Sequence, residues 1–339
     1  MKTLFTFVAA ALGVAVFIGL NLPLPWLLGP IFACLLAALL GVPMSGIKPL
    51  NDAMRTVLGV AVGATMTPAV IATFPAMWPT LLLVPIMVIA IGVCGVPYFQ
   101  RLWGYDFATA YYSTMPGGLQ DMLVFGEEAG GNVRTLSLVH ATRVMVIVVA
   151  LPFILKGIWN ADLSNPPGLP LTTVPPVQLA LMVLCAVLGW WGALRIGMFG
   201  ASILGPLLVT AGAAMIGLID NRPPAEAIWA AQFFIGMTIG SKYAGITTAE
   251  LRRDVLAGLG FCGVLIVLTL IFVEGIYAFG LAPGQEALLA FAPGGQAELT
   301  VLALIVGADV AFVVAHHVLR IFVVILGAPL AAWYFDRTI

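Results

Sequence analysis

Charge is what this sequence has least of. Asp, Glu, Lys and Arg together make up 9% of its 339 residues, against about 25% in an ordinary soluble chain. That scarcity excludes a typical soluble domain. With a net charge of -1 and no dense basic stretch, it also offers nucleic acid nothing to bind. Histidine is nearly as scarce: there are three, and His316 and His317 are adjacent. Neighbours on a helix point about 100° apart, so these three do not supply the convergent ligands of a catalytic metal site. The four cysteines (Cys34, Cys94, Cys185, Cys262) stand singly in apolar runs, with no Cys-x-x-Cys pair, which reads as small buried hydrophobes rather than redox or metal chemistry. No GxSxG, P-loop or dinucleotide fingerprint occurs in a usable context. Neither enzyme chemistry, a metal nor a cofactor is expected.

Apolar sequence is what the chain has in excess. It is 62% hydrophobic with a mean hydropathy of +1.11, and many runs approach the roughly 20 residues that cross a bilayer. An all-α polytopic membrane protein is expected, with the lipid bilayer as its first partner. Apolar elements fall at roughly 4–20, 25–42, 53–73, 77–98, 106–125 and 133–156, then at 176–194, 199–219, 226–243, 255–280, 286–306 and 309–335. The sequence predicts an N-terminal membrane repeat (1–159), a Pro- and Asn-containing linker (160–176) and a C-terminal membrane repeat (177–339). Lys2 ahead of an apolar run to Leu20 could imitate a signal peptide. Its counterpart, Val177 to Leu194, lies deep in the chain, so the first run is expected to be a retained span.

The two halves repeat costly residues in register. Pro116-Gly117-Gly118, Asp121, His140 and Arg143 recur 177 positions later as Pro293-Gly294-Gly295, Glu298, His317 and Arg320. Gly29-Pro30 is echoed by Gly205-Pro206, and Gly59-x-x-x-Gly63 by Gly236-x-x-x-Gly240. Small residues at such spacings let helices approach closely in lipid. The Pro-Gly-Gly elements are different. Proline removes a donor and glycine loosens the backbone, so each should be a broken helix or a re-entrant hairpin. Irregular backbone at membrane depth is tolerated only inside protein or beside a wet cavity.

Orientation follows from the basic residues. Lys2, Lys48, Arg55 and Arg101 in the first half, and Arg195, Lys242, Arg252 and Arg253 in the second, all face the cytoplasm if the Pro-Gly-Gly element does not cross. About ten spans, an inverted-topology repeat and cytoplasmic termini are the result. Another odd number of crossings per half serves equally well.

Arg143 and Arg320 each lie about ten residues into a run of roughly 25, where a charge costs about 2.5–3.5 kcal/mol on the insertion scale. Each should face inward and find a partner: Asp121, Glu298, Asp309 or helix carbonyls that lock the bundle, or else an anion or coupling ion. His140 and His317 share a helical face with those arginines and could pack or carry a proton. Asp121 and Glu298 would sit in the first turn of the downstream half-helix, as dipole partners or as carriers of H⁺ or Na⁺. Ser113, Thr114 and Gln120 surround the first break without equivalents at the second. They are where asymmetric recognition of a substrate would lie. His316 has Val139 as its counterpart and receives no role.

The TMPGGLQDM of the first half and the APGGQAELT with HHVLR of the second resemble the AbrB family of bacterial inner-membrane proteins, over essentially the whole chain. Members carry labels as regulators of gene expression and as ammonia monooxygenases. The resemblance implies a duplicated membrane domain in the bacterial inner membrane. It also implies alternating access by a core moving against a scaffold, in a homodimer. The leading expectation is a secondary active transporter of a small anionic metabolite coupled to H⁺ or Na⁺. A membrane-embedded regulator is the alternative, although the longest loop, Lys242 to Asp254, is short for a signalling domain. An ammonia-oxidising enzyme ranks third.

Overall fold

The computed structural model describes residues 2–198 and 200–336, without the side chains of Gln120, Asp121, Val124 and those from 328 onward. All regular structure among the described residues is helical. The first half runs α1 (Lys2–Gly19), α2 (Pro25–Leu39), α3 (Lys48–Gly63), the short α4 (Pro68–Ile71), α5 (Trp78–Pro97), α6 (Phe107–Thr114), α7 (Leu119–Glu128) and α8 (Val133–Trp159). The second runs α9 (Pro176–Arg195), α10 (Ala201–Met215), α11 (Ala225–Ser241), the short α12 (Thr248–Glu250), α13 (Leu256–Ala278), α14 (Gly284–Phe291), α15 (Gln296–Val306) and α16 (Val310–Asp336). Among the described residues, six stretches are long and apolar enough to cross a membrane: Lys2–Gly19, Pro68–Leu102, Val133–Trp159, Pro176–Arg195, Thr248–Ala278 and Val310–Gly327. Pro25–Leu39, Ala201–Met215 and Gln296–Val306 are shorter and apolar.

The expected third element, 53–73, is divided. α3 starts earlier, at Lys48, where Pro49 suits the first turn, and ends at Gly63. Thr67 then caps α4 through a bond from Val70 N–H to its hydroxyl, 3.4 Å long. The backbone separates into two compact units.

The first unit comprises Met1–Pro75, Pro152–Gly245 and Ala297–Ala311. In it α1 packs on α2 and α9 on α10, while the third helix of each half packs on the second helix of the other: α3 on α10, α11 on α2. Glycine makes these approaches possible. A methyl group at Gly59 or Gly63 would strike the carbonyl oxygen of Ile203 or Leu207, and one at Gly236 or Gly240 that of Leu27 or Ile31. Gly13 against Gly29 and Gly189 against Gly205 close the other two contacts in the same way.

The second unit comprises Ala76–Leu151, Ile246–Gln296 and Phe312–Ile339. α5 packs on α6 and α13, and α13 on α14. Two single π-helical turns, Tyr98–Leu102 and Leu251–Val255, lie at the facing ends of α5 and α13. There Tyr98 donates its hydroxyl to Ala257 O at 3.0 Å, and Phe99 stacks between Tyr105 and Phe261. Buried Asp254 accepts from Tyr105 (2.8 Å) and Thr135 (3.1 Å), and Arg134 pairs with Glu250 at 2.7 Å. The stretch read as a free loop, 242–254, is therefore helical from Thr248, where Thr247 and Glu250 form a capping box. Its last residue is anchored inside the unit.

Candidate functional site

Both Pro-Gly-Gly elements are broken helices, and the break has the same local cause twice. A proline forces the residue before it out of the helical region. Met115 accordingly adopts φ -62°, ψ 128° at the end of α6, and Ala292 φ -60°, ψ 127° at the end of α14. The helices resume as α7 at Leu119 and α15 at Gln296. Gly117 is not among the positive-φ residues. Glycine is required there for space, because a side chain would collide with Met122 and with Val324 of α16.

Proline also withdraws the N–H that would reach back four residues. At the first break that leaves Tyr112 O without its helical donor, and at the second Leu289 O. His140 Nε2 stands 2.9 Å from Tyr112 O and His317 Nε2 2.9 Å from Leu289 O. A carbonyl can only accept, so both rings carry a proton on Nε2 and donate. The arginine three residues on takes the next carbonyls. Arg143 donates to Met115 O (3.0 Å) and Gly117 O (3.2 Å), and Arg320 to Ala292 O (2.8 Å) and Gly294 O (2.9 Å). The His-x-x-Arg motif is thus a clasp that replaces the hydrogen bonds proline removed. One helical face delivers both side chains because positions three apart lie above one another.

The clasp is dry and positively charged. His140 and His317 are 0% exposed, Arg143 2% and Arg320 6%. The two guanidinium charges lie close enough to act on one another, and Arg143 also acts on the buried Cys262 thiol. Among the described residues no carboxylate bonds either arginine. Their compensation comes from carbonyl dipoles, the half-helix C-termini carrying about half a negative charge each. Arg143 Nε, Arg320 Nε, both histidine Nδ1 atoms and Ser113 Oγ are buried without a partner among the described residues.

The other sequence candidates are placed as follows. Pro116, Gly117, Pro293 and Gly294 are buried in the breaks, with Gly118 and Gly295 half-buried beside them. Thr114 is buried and returns its hydroxyl to Ala110 O at 2.8 Å. Glu298 is buried in the first turn of α15, one oxygen unpartnered among the described residues, with Arg55 the cation whose charge reaches it. It falls in the first unit, as Arg55 does. Asp309 is exposed between α15 and α16, and of the partners expected for the arginines the helix carbonyls are the ones observed. The side chains of Asp121 and Gln120 lie outside the described residues. His316, given no role, bonds Phe312 O at 2.7 Å and packs on Phe291. Sequence reasoning passed over Tyr112 O and Leu289 O, although counting back four from each proline finds them. It also passed over Asp254, Tyr105 and Thr135, for which no spacing gives a signal. Among the described residues no group of three or more His, Cys, Asp or Glu side chains is placed to hold a metal ion.

Fold and site define a polytopic helical membrane protein with two broken helices, each clasped by a buried histidine and arginine. The chain belongs to the AbrB family, whose profile, described as transition state regulatory protein AbrB, matches residues 26–336. It is similar to the uncharacterized protein YhjN of Bacillus subtilis, with 26% identity over 81% of this chain and 76% of that one. It is also similar to the putative regulator AbrB of Escherichia coli, with 23% identity over 93% of this chain and 91% of that one.

Proposed function

We propose that this protein is a secondary active transporter of a small anionic metabolite, coupled to H⁺ or Na⁺ and working by alternating access. The observation that carries the reading is the pair of buried guanidinium groups, within electrostatic reach of one another and without a bonded carboxylate among the described residues. Burying a charge costs several kcal/mol, and the half-helix ends offset only about half a charge each. A positive surplus remains, and an anion of small size complements it. The Ser113 hydroxyl and the arginine Nε atoms, without partners among the described residues, supply donors for such a ligand. Broken helices with opposed ends are the usual scaffold of these sites in transporters.

In this reading Arg143 and Arg320 compensate substrate charge, Glu298 and Asp121 are the coupling carboxylates, and a core moves against a scaffold. The protein acts as a homodimer in a bacterial inner membrane with both termini cytoplasmic, and it catalyses no reaction and binds no nucleic acid. The test is flux into proteoliposomes of small carboxylates, amino acids and inorganic anions under a pH or Na⁺ gradient. Transport of an anion that is lost in Arg143→Ala and Arg320→Ala supports the site. Undiminished transport in both rejects it, and movement of no anion by the wild type rejects the function.

A second reading, a membrane-embedded regulator, is favoured by the names carried by the family and one relative. It requires transcript changes on deletion that persist when a transport-dead variant is restored. Nothing in the similarities favours an ammonia monooxygenase.

A further inference from the structure

The carbonyls at each break make a cation site by their chemistry alone. Three oxygens, that of Tyr112 in the last turn of α6 and those of Met115 and Gly117 in the break after it, lie at the negative end of α6. Those of Leu289, Ala292 and Gly294 do the same at α14. Unwound carbonyls at half-helix C-termini are what membrane transporters offer to alkali cations. Here every one of those oxygens is taken. His140 and His317 each hold one, and each guanidinium bridges two, at 2.8 to 3.2 Å. Each of the six already accepts from a side-chain donor, and the guanidinium charge beside them repels a metal ion.

The charge arrangement points the same way. Two cations tolerate each other's field inside one unit, and no carboxylate relieves them among the described residues. What holds each in place is the carbonyl cage. A side chain with a fixed positive charge and a planar fork suits two oxygens two residues apart. The cage is built twice, with the same partners in the same register, from flanking sequences that otherwise differ. Ser113 and Thr114 face Ala290 and Phe291 at the matching positions.

We propose that Arg143 and Arg320 are tethered cations occupying two latent alkali-cation sites, so that neither break binds a free metal ion while its arginine is present. For the transporter reading, on which this consequence rests, Na⁺ is not carried at the breaks. Removing an arginine exposes the cage, and the cage then takes a small cation from solution, methylguanidinium best and Na⁺ next.

The experiment is thermal unfolding of the purified full-length protein in detergent, titrated with methylguanidinium, NaCl and choline chloride at constant ionic strength. Arg143→Ala and Arg320→Ala are expected to melt lower than the wild type. Each should then gain a saturable upward shift with methylguanidinium, and a smaller one with Na⁺, that choline does not give and the wild type lacks. A folded variant that gains nothing overturns the proposal. So does a wild type shifted by Na⁺ as strongly as the variants, because the cages would then already be open. Should the alanine variants not fold, Arg143→Met and Arg320→Met keep the apolar stem, remove the charge and the donors, and carry the same readout. The measurement needs no flux. A protein that passes it and moves no anion loses the transporter reading and keeps the tethered cations, and the reverse result separates the two equally well.

Discussion

At the first break His140 and Arg143 hold the carbonyls of Tyr112, Met115 and Gly117, and the residues around them include Ser113, Thr114 and Thr142. At the second, His317 and Arg320 hold those of Leu289, Ala292 and Gly294, and the matching residues are Ala290, Phe291 and Leu319. The backbone bonds are the same and the lining is not. What the copies share is therefore the means of holding a broken helix in a dry interior, where an unsatisfied carbonyl costs about 1–3 kcal/mol. What they do not share is polarity beside the break. That difference ties the shared residues to architecture and charge, and in the transporter reading leaves recognition to the unshared ones.

The largest effect should come from deleting a clasp. Arg143→Ala or Arg320→Ala orphans two buried carbonyls at roughly 1–3 kcal/mol each, and transport should disappear with either. Melting in detergent and proteoliposome flux measure the two consequences. If the two variants lost stability by very different amounts, the clasps would not be equivalent.

Next come the crossed helix contacts. Gly59→Ala and Gly236→Ala each drive a methyl group into a backbone carbonyl, of Ile203 and Leu27 respectively. Overpacking of this kind costs about 1–3 kcal/mol, and the pair should match. A well-tolerated alanine at either position, seen by thermal unfolding, would break the correspondence.

The histidines allow a sharper test. His140→Ala should cost about 1–2 kcal/mol by leaving Tyr112 O unpaired. Pro116→Ala restores an N–H within reach of that oxygen, so the double variant should be more stable than the two single losses predict. A double-mutant cycle reads that coupling directly. A histidine acting as a proton carrier, with no part in holding the backbone, would show additive losses instead.

The smallest stability effect is expected at Ser113, whose hydroxyl has no partner among the described residues. Ser113→Ala should change melting by less than about 0.5 kcal/mol and alter which anion is preferred in a competition flux assay. Ala290→Ser, its mirror, should leave selectivity unchanged.

Much of this was legible in the chain. Pro116 and Pro293 announce a break by their covalent geometry, and the His-x-x-Arg spacing puts both side chains on one face of whatever helix carries them. The glycine pairs at 59 and 63, and at 236 and 240, announce close helix contacts. The partners were legible only as a class, since helix carbonyls stood among those expected without any residue being singled out. Asp121, Glu298 and Asp309 were natural candidates for the arginines because they are the nearby opposite charges in the sequence. Asp309 instead stands exposed, and carbonyls take the guanidinium groups. Counting back four from each proline marks Tyr112 O and Leu289 O, but the spacing does not say which side chain reaches them.

Asp254 shows the same limit from the other side. Beside Arg252 and Arg253 it reads as part of a polar loop, yet it is 5% exposed and held by Tyr105 and Thr135 from distant segments. By itself the sequence determined what depends on covalent structure and local periodicity: an all-helical membrane chain, two breaks and their spacing to a histidine and an arginine. Only the tertiary structure decided which oxygens those side chains hold, which glycines touch which helices, and which carboxylates are buried. Those are questions of proximity between residues far apart in the chain, and packing resolves them.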